Sequence, residues 1–529
     1  MIAFLTTISF IFYCVSQTLF WVGLWQTKEY RLDRLLVHVR ETYQGRRVIF
    51  NYTSLSLILL IVLYILGSFN DSIAGMFSAL VLLFFAAEAL LFVYAISQHR
   101  VKRPLFTVKS LAIVLLTFLG IGVLYEFPLT VMSLWFIALA YLIPFVVALF
   151  VFFFSFPTEI YTDILMQKAK KKMQSLNNTQ VIAVSGSYGK SSTKEAVAHI
   201  LSQKYRVVKT KLSNNTPIAI AKTILKEVDS STDYFIVEMG AYKKGEIAQI
   251  CLMVSPDISI TTSVSDQHLS LYGTIDDVIA SEMELIYAMN KKGISLFNKN
   301  SLLTQKIADG TKHEKVFYHT TSSSNKSSKE IIGLDISNRK NGVTFSAKYR
   351  DKFIHLFSPL LGVHTVENIL PAIFLGIHFG LSDNEIIHGV KTLEPLPKTM
   401  VPKMLPGGII AVDDTFNASP ESVISAAQYL KLYKRKKAFV LTPLIELGKM
   451  GKERHKQIGE ELSSFDYIFL TNKNFVNEIK EGITSHHGKA VVEVGGVRQI
   501  SQKITKILQK DDAVVFEGKE AGFVLKHLL

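Results

Sequence analysis

Cysteine is scarce in this sequence: the 529 residues contain 2, Cys14 and Cys251. Two distant cysteines provide neither the disulfide framework of a small secreted domain nor the paired spacing of a structural zinc site. Both classes of protein are therefore excluded. A reducing compartment such as the cytoplasm suits the part of the chain outside any membrane.

Charged residues are also few, at 19% of the chain against 49% apolar residues. The apolar excess lies in the first 156 residues, where five runs approach the roughly 20 residues that a helix needs to cross a bilayer. The runs cover residues 2–25, 55–69, 73–97, 111–124 and 131–156. We predict an α-helical membrane region with five transmembrane helices. Glu88 is the clear acidic residue within the spans, which otherwise have few ionisable groups to line a substrate pathway. The expected role of the region is therefore to anchor the protein.

The distribution of positive charge predicts the orientation of these spans. Basic residues follow the first, third and fifth runs: Lys28, Arg31, Arg34, Arg40, Arg46 and Arg47; Arg100, Lys102, Arg103 and Lys109; and Lys168, Lys170, Lys171 and Lys172. Lys and Arg favour the cytoplasmic side, so we expect the N-terminus outside and the C-terminal bulk in the cytoplasm. A cleaved signal peptide is the alternative for the first run, but a basic leading segment is missing.

The net charge of +14 raises the question of a nucleic-acid partner. The sequence has no nucleic-acid-binding motif, and many of the basic residues flank the predicted spans. Membrane lipids with anionic headgroups are therefore the expected partner, and nucleic acid is not. The sequence does not indicate an oligomeric state.

After the apolar region, short strand-like runs alternate with helical patterns. Strand–helix alternation predicts mostly parallel sheets covered by helices on both faces, that is, an α/β fold. Prolines concentrate near residues 393–398, which suggests a boundary between two α/β domains. We predict a membrane region at 1–156, a basic cytoplasmic linker at 157–177, a central nucleotide-binding domain at 178–393 and a smaller C-terminal domain at 394–529.

A glycine-rich turn separates a buried strand pattern from a helical pattern in the central domain. Gly186 and Gly189 permit a tight bend whose N–H groups can face phosphate oxygens, and Lys190 adds a full charge at the start of the helix. Ser191 follows in the place of a magnesium ligand. The loop reads Gly186-Ser187-Tyr188-Gly189-Lys190-Ser191-Ser192. Val184 stands where the full Walker motif has its first glycine, so an ordinary turn is the alternative, but the residues favour a site for ATP and Mg²⁺.

Five further motifs follow this loop. They are Asn214-Asn215-Thr216-Pro217; Glu238-Met239-Gly240-Ala241 with Gly245-Glu246-Ile247; Gln267-His268; Gly362-Val363-His364 with Asn368; and Asp413-Asp414 with Asn417 and Pro420. In this order, the six motifs resemble those of the Mur ligases, ATP-dependent enzymes that join amino acids to the cell-wall peptide. The branch that adds D-alanyl-D-alanine is the most similar. The resemblance covers roughly residues 178–529.

The resemblance implies a fold and a reaction. The fold is a P-loop mononucleotide-binding central domain with a smaller, Rossmann-like C-terminal domain. In the reaction, a substrate carboxylate attacks the γ-phosphate of ATP to give an acyl phosphate, and an amine then displaces phosphate to form an amide. Such chemistry needs groups that position and neutralise anions.

The resemblance also implies roles for individual residues. The loop from Gly186 to Ser192 would bind ATP phosphates, with Lys190 on the β- and γ-phosphates. Ser191 and Glu238 would ligate one Mg²⁺, and His268 a second. Asn368 would contact the adenine. Asp414 would contact the nucleotide from the C-terminal domain.

Three asparagines, Asn214, Asn215 and Asn417, are the predicted substrate contacts. Each interpretation has a plainer alternative: asparagine pairs also cap helices, Glu238 could be an ordinary strand-end carboxylate, and a lone histidine such as His268 is more often structural. His455 also matches the family, without a chemical role that we can assign.

The chain departs from the family pattern at three places. Glu282 stands where the family usually has a carbamoylated lysine, so its carboxylate could replace the carbamate at the second Mg²⁺; the predicted catalytic set is Lys190, Glu238, His268 and Glu282. Thr399, next to Lys398, replaces an expected arginine. Glu517-Gly518-Lys519 replaces a Lys-Gly-Ser pattern.

Together these features predict a membrane-anchored ATP-dependent amide ligase that faces the cytoplasm and acts in peptidoglycan precursor synthesis. Its partners would be a cell-wall precursor peptide and an amino acid or dipeptide donor. The membrane region occupies the place of the family's uridine-binding domain. The alternatives are another ligase of the superfamily, such as a polyglutamate or modified-cell-wall ligase, or a transport or scaffold protein with a regulatory nucleotide domain.

Overall fold

The structure is a computed structural model that describes all residues except 42, 50, 68–70, 99–100, 102, 129–130, 177, 266–268, 323–328 and 446. The chain divides into two compact units, Met1–Asp163 and Ile164–Leu529. The first unit is helical, and the second contains two β-sheets.

Seven helices form or begin in the described residues of the first unit. They are α1 (Ile2–Thr27), α2 (Leu32–Glu41), α3 (Tyr43–Ile49), α4 (Tyr52–Gly67), α5 (Asp71–Ser97), α6 (Val108–Tyr125) and α7 (Met132–Gln174). Buried aromatic rings pack three of them together: the ring centroid of Phe10 on α1 lies 5.2 Å from that of Phe85 on α5 and 5.0 Å from that of Phe136 on α7.

Five helical segments in the described residues are long and apolar enough to cross a membrane, judged by length and composition; the second takes residues from both α3 and α4. They are Ile2–Thr27, Gly45–Ile65, Met76–Ser97, Val108–Tyr125 and Met132–Gln174. The second begins ten residues before the run predicted at 55–69. Residues 157–174, expected to form a basic linker, are helical and belong to α7.

A nine-stranded sheet forms the centre of the second unit. Its strands are β1 (Gln180–Ser185), β2 (Val207–Lys209), β3 (Tyr234–Glu238), β4 (Ile258–Thr261), β5 (Ile294–Asn298), β6 (Glu314–Thr320), β7 (Glu330–Arg339), β8 (Gly342–Tyr349) and β9 (Lys352–Ser358). The order is β2-β3-β1-β4-β5-β6-β7-β8-β9. Pairing is parallel from β2 to β7 and antiparallel from β7 to β9.

Helices cover both faces of this sheet. They are α8 (Lys190–Leu201), α9 (Pro217–Glu227), α10 (Glu246–Val254), α11 (Leu269–Tyr272), α12 (Ile275–Tyr287), α13 (Leu302–Asp309), α14 (His364–His378) and α15 (Asp383–Lys391). Alternate residues of β1 point to opposite faces: Ile182 and Val184 share a core with α8 and α14, and Val181 and Ala183 share one with α9 and α10. A strand buried on both faces explains the unbroken apolar run in the sequence.

The second sheet has six strands. They are β10 (Val401–Leu405), β11 (Ile409–Asp414), β12 (Lys437–Leu441), β13 (Tyr467–Leu470), β14 (Val491–Val494) and β15 (Ala513–Glu517), in the order β10-β11-β15-β12-β13-β14. Its helices are α16 (Pro420–Leu430), α17 (Gly451–Glu461), α18 (Val476–Ser485), α19 (Val497–Ile507) and α20 (Lys519–Leu528). β10 is antiparallel to β11, and the other pairs are parallel.

The predicted arrangement of two α/β sheets is confirmed, with differences at the edges. The sequence analysis missed β10, whose residues lie just after the proline-rich boundary. β10 tolerates Pro402 because it is an edge strand, where a missing N–H need not break a ladder. β6 and β7 were also missed, since they extend the sheet beyond the regular strand–helix alternation. β2 and β14 were missed too, because they have only three and four residues.

Candidate functional site

The phosphate loop lies at the carboxyl end of β1, between β3 and β4. The chain leaves β1 towards one edge of the sheet to form β2 and β3, and then crosses β1 to form β4 on its other side. Such a switch in direction is the usual place for a ligand in an open α/β sheet. Gly186 has φ +122° and Gly189 has φ +80°. A Cβ on Gly186 would lie 2.2 Å from Thr262 Oγ1, and one on Gly189 would lie 2.3 Å from Asn368 Oδ1. Both positions therefore require glycine for conformation and for space.

The loop is fixed by hydrogen bonds before the helix begins. The N–H groups of Ser187 and Tyr188 both donate to the carbonyl of Ser263, at 2.8 and 3.1 Å. Lys190 Nζ donates to the carbonyls of Gly186 and Ser187, at 2.5 and 3.0 Å. The N–H groups of the first turn of α8 are the ones whose position suits phosphate, because a helix N-terminus leaves them without intrahelical partners.

Glu238 is a buried carboxylate at the end of β3, and the strand register places it beside Val184 of β1. Its Oε2 accepts from Ser191 Oγ at 2.8 Å and from Lys194 Nζ at 3.2 Å. Its Oε1 accepts from Asn215 Nδ2 at 3.2 Å. Loop, helix and strand thus converge on one anion.

Glu282 lies on α12 and faces the same loop. Its Oε2 accepts a hydrogen bond of 2.6 Å from Ser185 Oγ, at the end of β1. Burial raises the pKa of the Glu282 carboxyl, and the Ser185 hydroxyl and the Lys190 charge oppose that rise. Burial likewise lowers the pKa of Lys190, against the charges of Glu238 and Glu282. Glu282, Lys190 and Asn215 line one cavity with Gly186, Tyr242 and Tyr272.

The donor set at the loop fits a magnesium ion. Mg²⁺ takes oxygen ligands in an octahedron at about 2.0–2.1 Å, which puts adjacent ligands about 2.9 Å apart. The distance from Ser191 Oγ to Glu238 Oε2 is 2.8 Å, so these two atoms could serve as adjacent ligands. Among the residues that the structure describes, no three His, Cys, Asp or Glu side chains form a metal group. His268, the predicted ligand of a second ion, lies outside those residues.

Asn368, the predicted adenine contact, lies on α14, and its side chain packs against Gly189 of the phosphate loop. A cavity runs from it along Ser192 to the segment before β10, and is lined there by Leu396, Thr399 and Met400. His364 also lines this cavity. Burial lowers the pKa of the His364 imidazole to about 4, so the ring is neutral at physiological pH.

The three predicted substrate asparagines do not share one place. Asn215 is half-buried and is the one bonded to Glu238. Asn214 is exposed next to it, in the loop between β2 and α9. Asn417 is exposed in the loop after β11, on the C-terminal sheet. Neither asparagine of the pair caps α9: its N-cap residue is Thr216.

Asp414 ends β11 and is buried next to Glu517, its register partner on β15. Asp414 Oδ1 accepts from the N–H of Met400 at 3.1 Å, and the Phe416 N–H donates to the Lys398 carbonyl at 3.0 Å. Both contacts hold the segment that precedes β10. Two of the places where the sequence departs from the family pattern, Lys398–Thr399 and Glu517–Lys519, therefore lie around Asp414.

His455 has a structural role that sequence reasoning did not supply. Its Nε2 accepts from the Leu444 N–H at 3.0 Å, and its Nδ1 bonds the Gly451 carbonyl at 2.6 Å. The ring stacks on Phe475 at 4.0 Å. These partners require a neutral imidazole, and burial lowers its pKa to about 4.

Sequence reasoning also missed Lys194, Ser185 and Glu284. Lys194 and Ser185 contact Glu238 and Glu282, and Glu284 accepts from the N–H groups of Gly245 and Ala248 at the start of α10. The spacing of Lys194 from Lys190, four residues along one helix, was the available signal. For Ser185 and Glu284 the contact depends on tertiary structure.

Two family models match the second unit. The Mur ligase middle domain matches residues 184–376, and the glutamate ligase domain of the Mur ligases matches residues 400–520. Together they cover more than half of the chain.

Similar proteins carry the same assignment. The UDP-N-acetylmuramoyl-tripeptide–D-alanyl-D-alanine ligase of Bacillus subtilis is 28% identical over 378 residues, which are 69% of this chain and 78% of that protein. The enzyme of the same name from Escherichia coli is 27% identical over 283 residues, 53% of this chain and 61% of that protein. The chain thus spans less than two thirds of the second relative.

Solved structures share the fold. MurF from Acinetobacter baumannii superimposes with a TM-score of 0.63 at 21% identity, covering 69% of this chain and 80% of that one. The MurF ligase of Thermotoga maritima in complex with ADP gives 0.60 at 22% identity, with 69% and 83% covered. The predicted resemblance is confirmed: this chain belongs to the Mur ligase family of ATP-dependent peptide ligases.

Proposed function

We propose that this chain uses ATP and Mg²⁺ to add D-alanyl-D-alanine to the peptide of a cell-wall precursor. The observation that carries the proposal is that the phosphate loop, Asn215 and Glu282 line one cavity. Glu238 lies behind this lining and is hydrogen-bonded to Ser191 and Asn215. The relatives named above supply the substrate class. Their names specify a UDP-linked tripeptide and this dipeptide.

The residues have complementary tasks in this reaction. The first turn of α8 and Lys190 would hold and neutralise the β- and γ-phosphates while the acceptor carboxylate attacks. Ser191 and Glu238 would hold Mg²⁺, which supplies charge stabilisation at the phosphates. Glu282 would supply directly the carboxylate that the family obtains by carbamoylating a lysine, and His268 remains the predicted partner for a second ion.

Asn368 would contact the adenine, since it lines the cavity that opens beside the loop. Asn214 and Asn215 would contact the acceptor, because Asn215 reaches the same carboxylate as Ser191. Asn417 and Asp414 would act from the C-terminal sheet. For Asp414, the bond to the Met400 N–H supports a role in holding the segment between the sheets.

We propose further that the apolar helices anchor the enzyme in the cell membrane, with residues 157–529 in the cytoplasm. Five candidate spans and the basic residues after the first, third and fifth support this topology. Reporter fusions after residues 25, 69, 97, 124 and 156 should alternate between the two sides. A fusion at 156 on the outer side would remove the ligase from its ATP and refute the topology.

Anchoring would raise the effective concentration of an acceptor that is itself in the membrane. We therefore propose a lipid-linked acceptor, or one recognised mainly through its peptide.

A product assay tests the substrate assignment. Full-length protein in nanodiscs receives ATP, Mg²⁺ and D-alanyl-D-alanine with either a UDP-linked or a lipid-linked tripeptide precursor, and the product is followed by mass. We expect the dipeptide adduct, formed preferentially on the lipid-linked acceptor. Efficient use of the UDP-linked form without preference would refute the membrane acceptor. Success with another amine and failure with the dipeptide would assign a different ligase branch.

A further inference from the structure

Lys194 is a fully buried lysine, one helical turn after Lys190 on α8. Burying an ammonium group is strongly unfavourable unless the group is paired with an anion and hydrogen-bonded. Its partners therefore indicate why the position holds a lysine.

The Lys194 ammonium has three partners. Its Nζ lies 3.2 Å from Glu238 Oε2 and 3.4 Å from Glu195 Oε1. It also donates to the backbone carbonyl of Leu212. Glu195 has a second cation, the half-exposed Lys209, whereas Glu238 has no other cation bonded to it among the described ion pairs.

Leu212 belongs to the loop that carries the asparagine pair. It has φ +48°, a left-handed conformation that is unfavourable for a residue with a side chain and persists only where the surrounding structure enforces it. Its side chain is exposed, so burial of the leucine does not enforce the conformation. Two interactions constrain it: the hydrogen bond from the Asn214 N–H to the Lys211 carbonyl, which closes a turn across Leu212, and the Lys194 contact on the Leu212 carbonyl. Of the two, the Lys194 contact ties the turn to the rest of the domain.

The contacts close a ring around the loop. Lys194 bonds the Leu212 carbonyl at one end, and Asn215 Nδ2 bonds Glu238 Oε1 at the other. Lys194 and Glu238 pair with each other, and the Asn214 N–H donates to the Lys211 carbonyl within the loop. Each end of the loop is thus attached to one member of a single buried ion pair.

We propose that Lys194 is a positioning residue that fixes the 211–216 loop against Glu238. One buried cation then sets both the orientation of the proposed magnesium ligand and the place of the two asparagines. A simple counterion for Glu238 would need only the carboxylate contact; the bond to the Leu212 carbonyl is what adds control of the loop. The consequence for the acceptor rests on the proposed function, but the control of the loop does not.

Hydrogen exchange of the full-length protein in detergent measures the loop directly. Lys194→Met keeps the length of the side chain and removes the donor and the charge. We expect exchange at residues 211–216 to accelerate about tenfold or more, the effect of losing a hydrogen bond to a charged group. Lys209→Met, which removes the exposed cation of Glu195, is the matched control and should leave the exchange of this loop unchanged.

Removing one member of a buried ion pair could unfold the domain. The double variant Lys194→Met/Glu238→Gln removes both charges and still lacks the bond to Leu212, so exchange in the loop should remain fast. Unchanged protection of residues 211–216 in either folded variant would overturn the proposal.

Steady-state kinetics then separates this role from a general loss of structure. In Lys194→Met we expect the KM for the acceptor to rise by about tenfold while the KM for ATP changes by less than about threefold, because the phosphate loop has its own contacts. Equal changes in both constants would contradict positioning of the acceptor loop. Lack of ligase activity in the unmodified protein would refute the proposed function and leave the exchange result intact.

Discussion

Glu238 and Glu517 occupy comparable places in the two sheets and have opposite surroundings. Each is a buried glutamate at the carboxyl end of a parallel strand, and each accepts a hydrogen bond from a serine hydroxyl: Ser191 at 2.8 Å and Ser422 at 2.7 Å. Glu238 pairs with the buried Lys194. Glu517 instead faces a second buried acid, Asp414.

The difference changes what each carboxyl can bind. Burial, followed by the Asp414 charge, raises the pKa of Glu517 well above its usual range, and burial raises that of Asp414 to about 6. Lys519, at the start of α20, is exposed and does not relieve this pair. The central sheet thus places a cation-paired carboxylate at the proposed metal site. In the C-terminal sheet, burial and the neighbouring acid favour a proton on the Asp414–Glu517 pair.

The largest expected effect comes from the phosphate loop. Lys190→Ala removes the charge that compensates the transferring phosphoryl group, and we expect ligase turnover to fall by about 10³-fold or more. Turnover is measured by ADP release coupled to product formation. Folding should be retained, because the lysine is only half-buried, at the first position of α8. Turnover like that of the unmodified enzyme would remove Lys190 from the site.

Glu282→Gln should raise the Mg²⁺ concentration needed for activity by about tenfold, since the amide keeps the shape and removes the anion. Activity of the unmodified enzyme should not depend on bicarbonate, because no carbamate is formed. The control is Glu284→Gln, two residues away, whose carboxylate bonds the start of α10 and should alter stability more than the magnesium requirement. Full activity of Glu282→Gln at low Mg²⁺ would disprove the role.

The two neutral histidines should make the protein sensitive to acid. The pKa values of His364 and His455 fall to about 4 in the folded state from an ordinary 6.5. Their neutral forms are therefore fully compatible with the fold above pH 6.5, and stability falls as the pH drops from 6.5 towards 4. Protonation of each histidine lowers the free energy of unfolding by up to about 3 kcal/mol.

Hydrogen exchange of α17, corrected for the intrinsic effect of pH, should show faster local opening at pH 5 than at pH 7. His455→Leu should weaken α17 at both pH values and reduce that difference, since it leaves the Leu444 N–H without its acceptor. A pH difference as large in this variant as in the unmodified protein would show that another group is responsible.

The smallest effect should come from the acid pair. A raised carboxyl pKa stabilises the fold at low pH, and that stability is lost as the pH rises through the folded-state values. Glu517→Gln keeps a donor for Asp414 without a titrating proton, so we expect about 1–2 kcal/mol more stability at pH 8 and little change at pH 4. Thermal unfolding at the two pH values measures this; equal shifts at both would contradict the shared proton.

The comparison also explains how far the sequence could predict the site. The phosphate loop and Glu238 were predictable because their signals are contiguous: an apolar strand followed by a characteristic turn or acid. The pairing of Asp414 with Glu517 was not predictable, since it depends on the register of strands far apart in the sequence. The spacing of Lys194 from Lys190 indicates a shared helix face, but its contact with Glu238 depends on how α8 packs on β3. Ser185 was hidden for the same reason.

The fold shows the same limit. The alternation of strands and helices predicted both α/β sheets, whereas the edge strand β10 carries a proline that reads as a linker. The helical residues 157–174 could not be separated from a basic linker by composition, because lysines suit both. The placement of His268 stays a prediction.

The central claim is that peptide-bond formation depends on the cation-paired site of the central sheet and not on the acid pair. The most direct test is ADP release by the full-length protein with acceptor and D-alanyl-D-alanine added singly and together. We predict ADP in equal amount to the new amide only when both are present, retained within about threefold in Glu517→Gln and lost in Lys190→Ala. ADP release by Lys190→Ala at the unmodified rate, or equal loss in both variants, would contradict it.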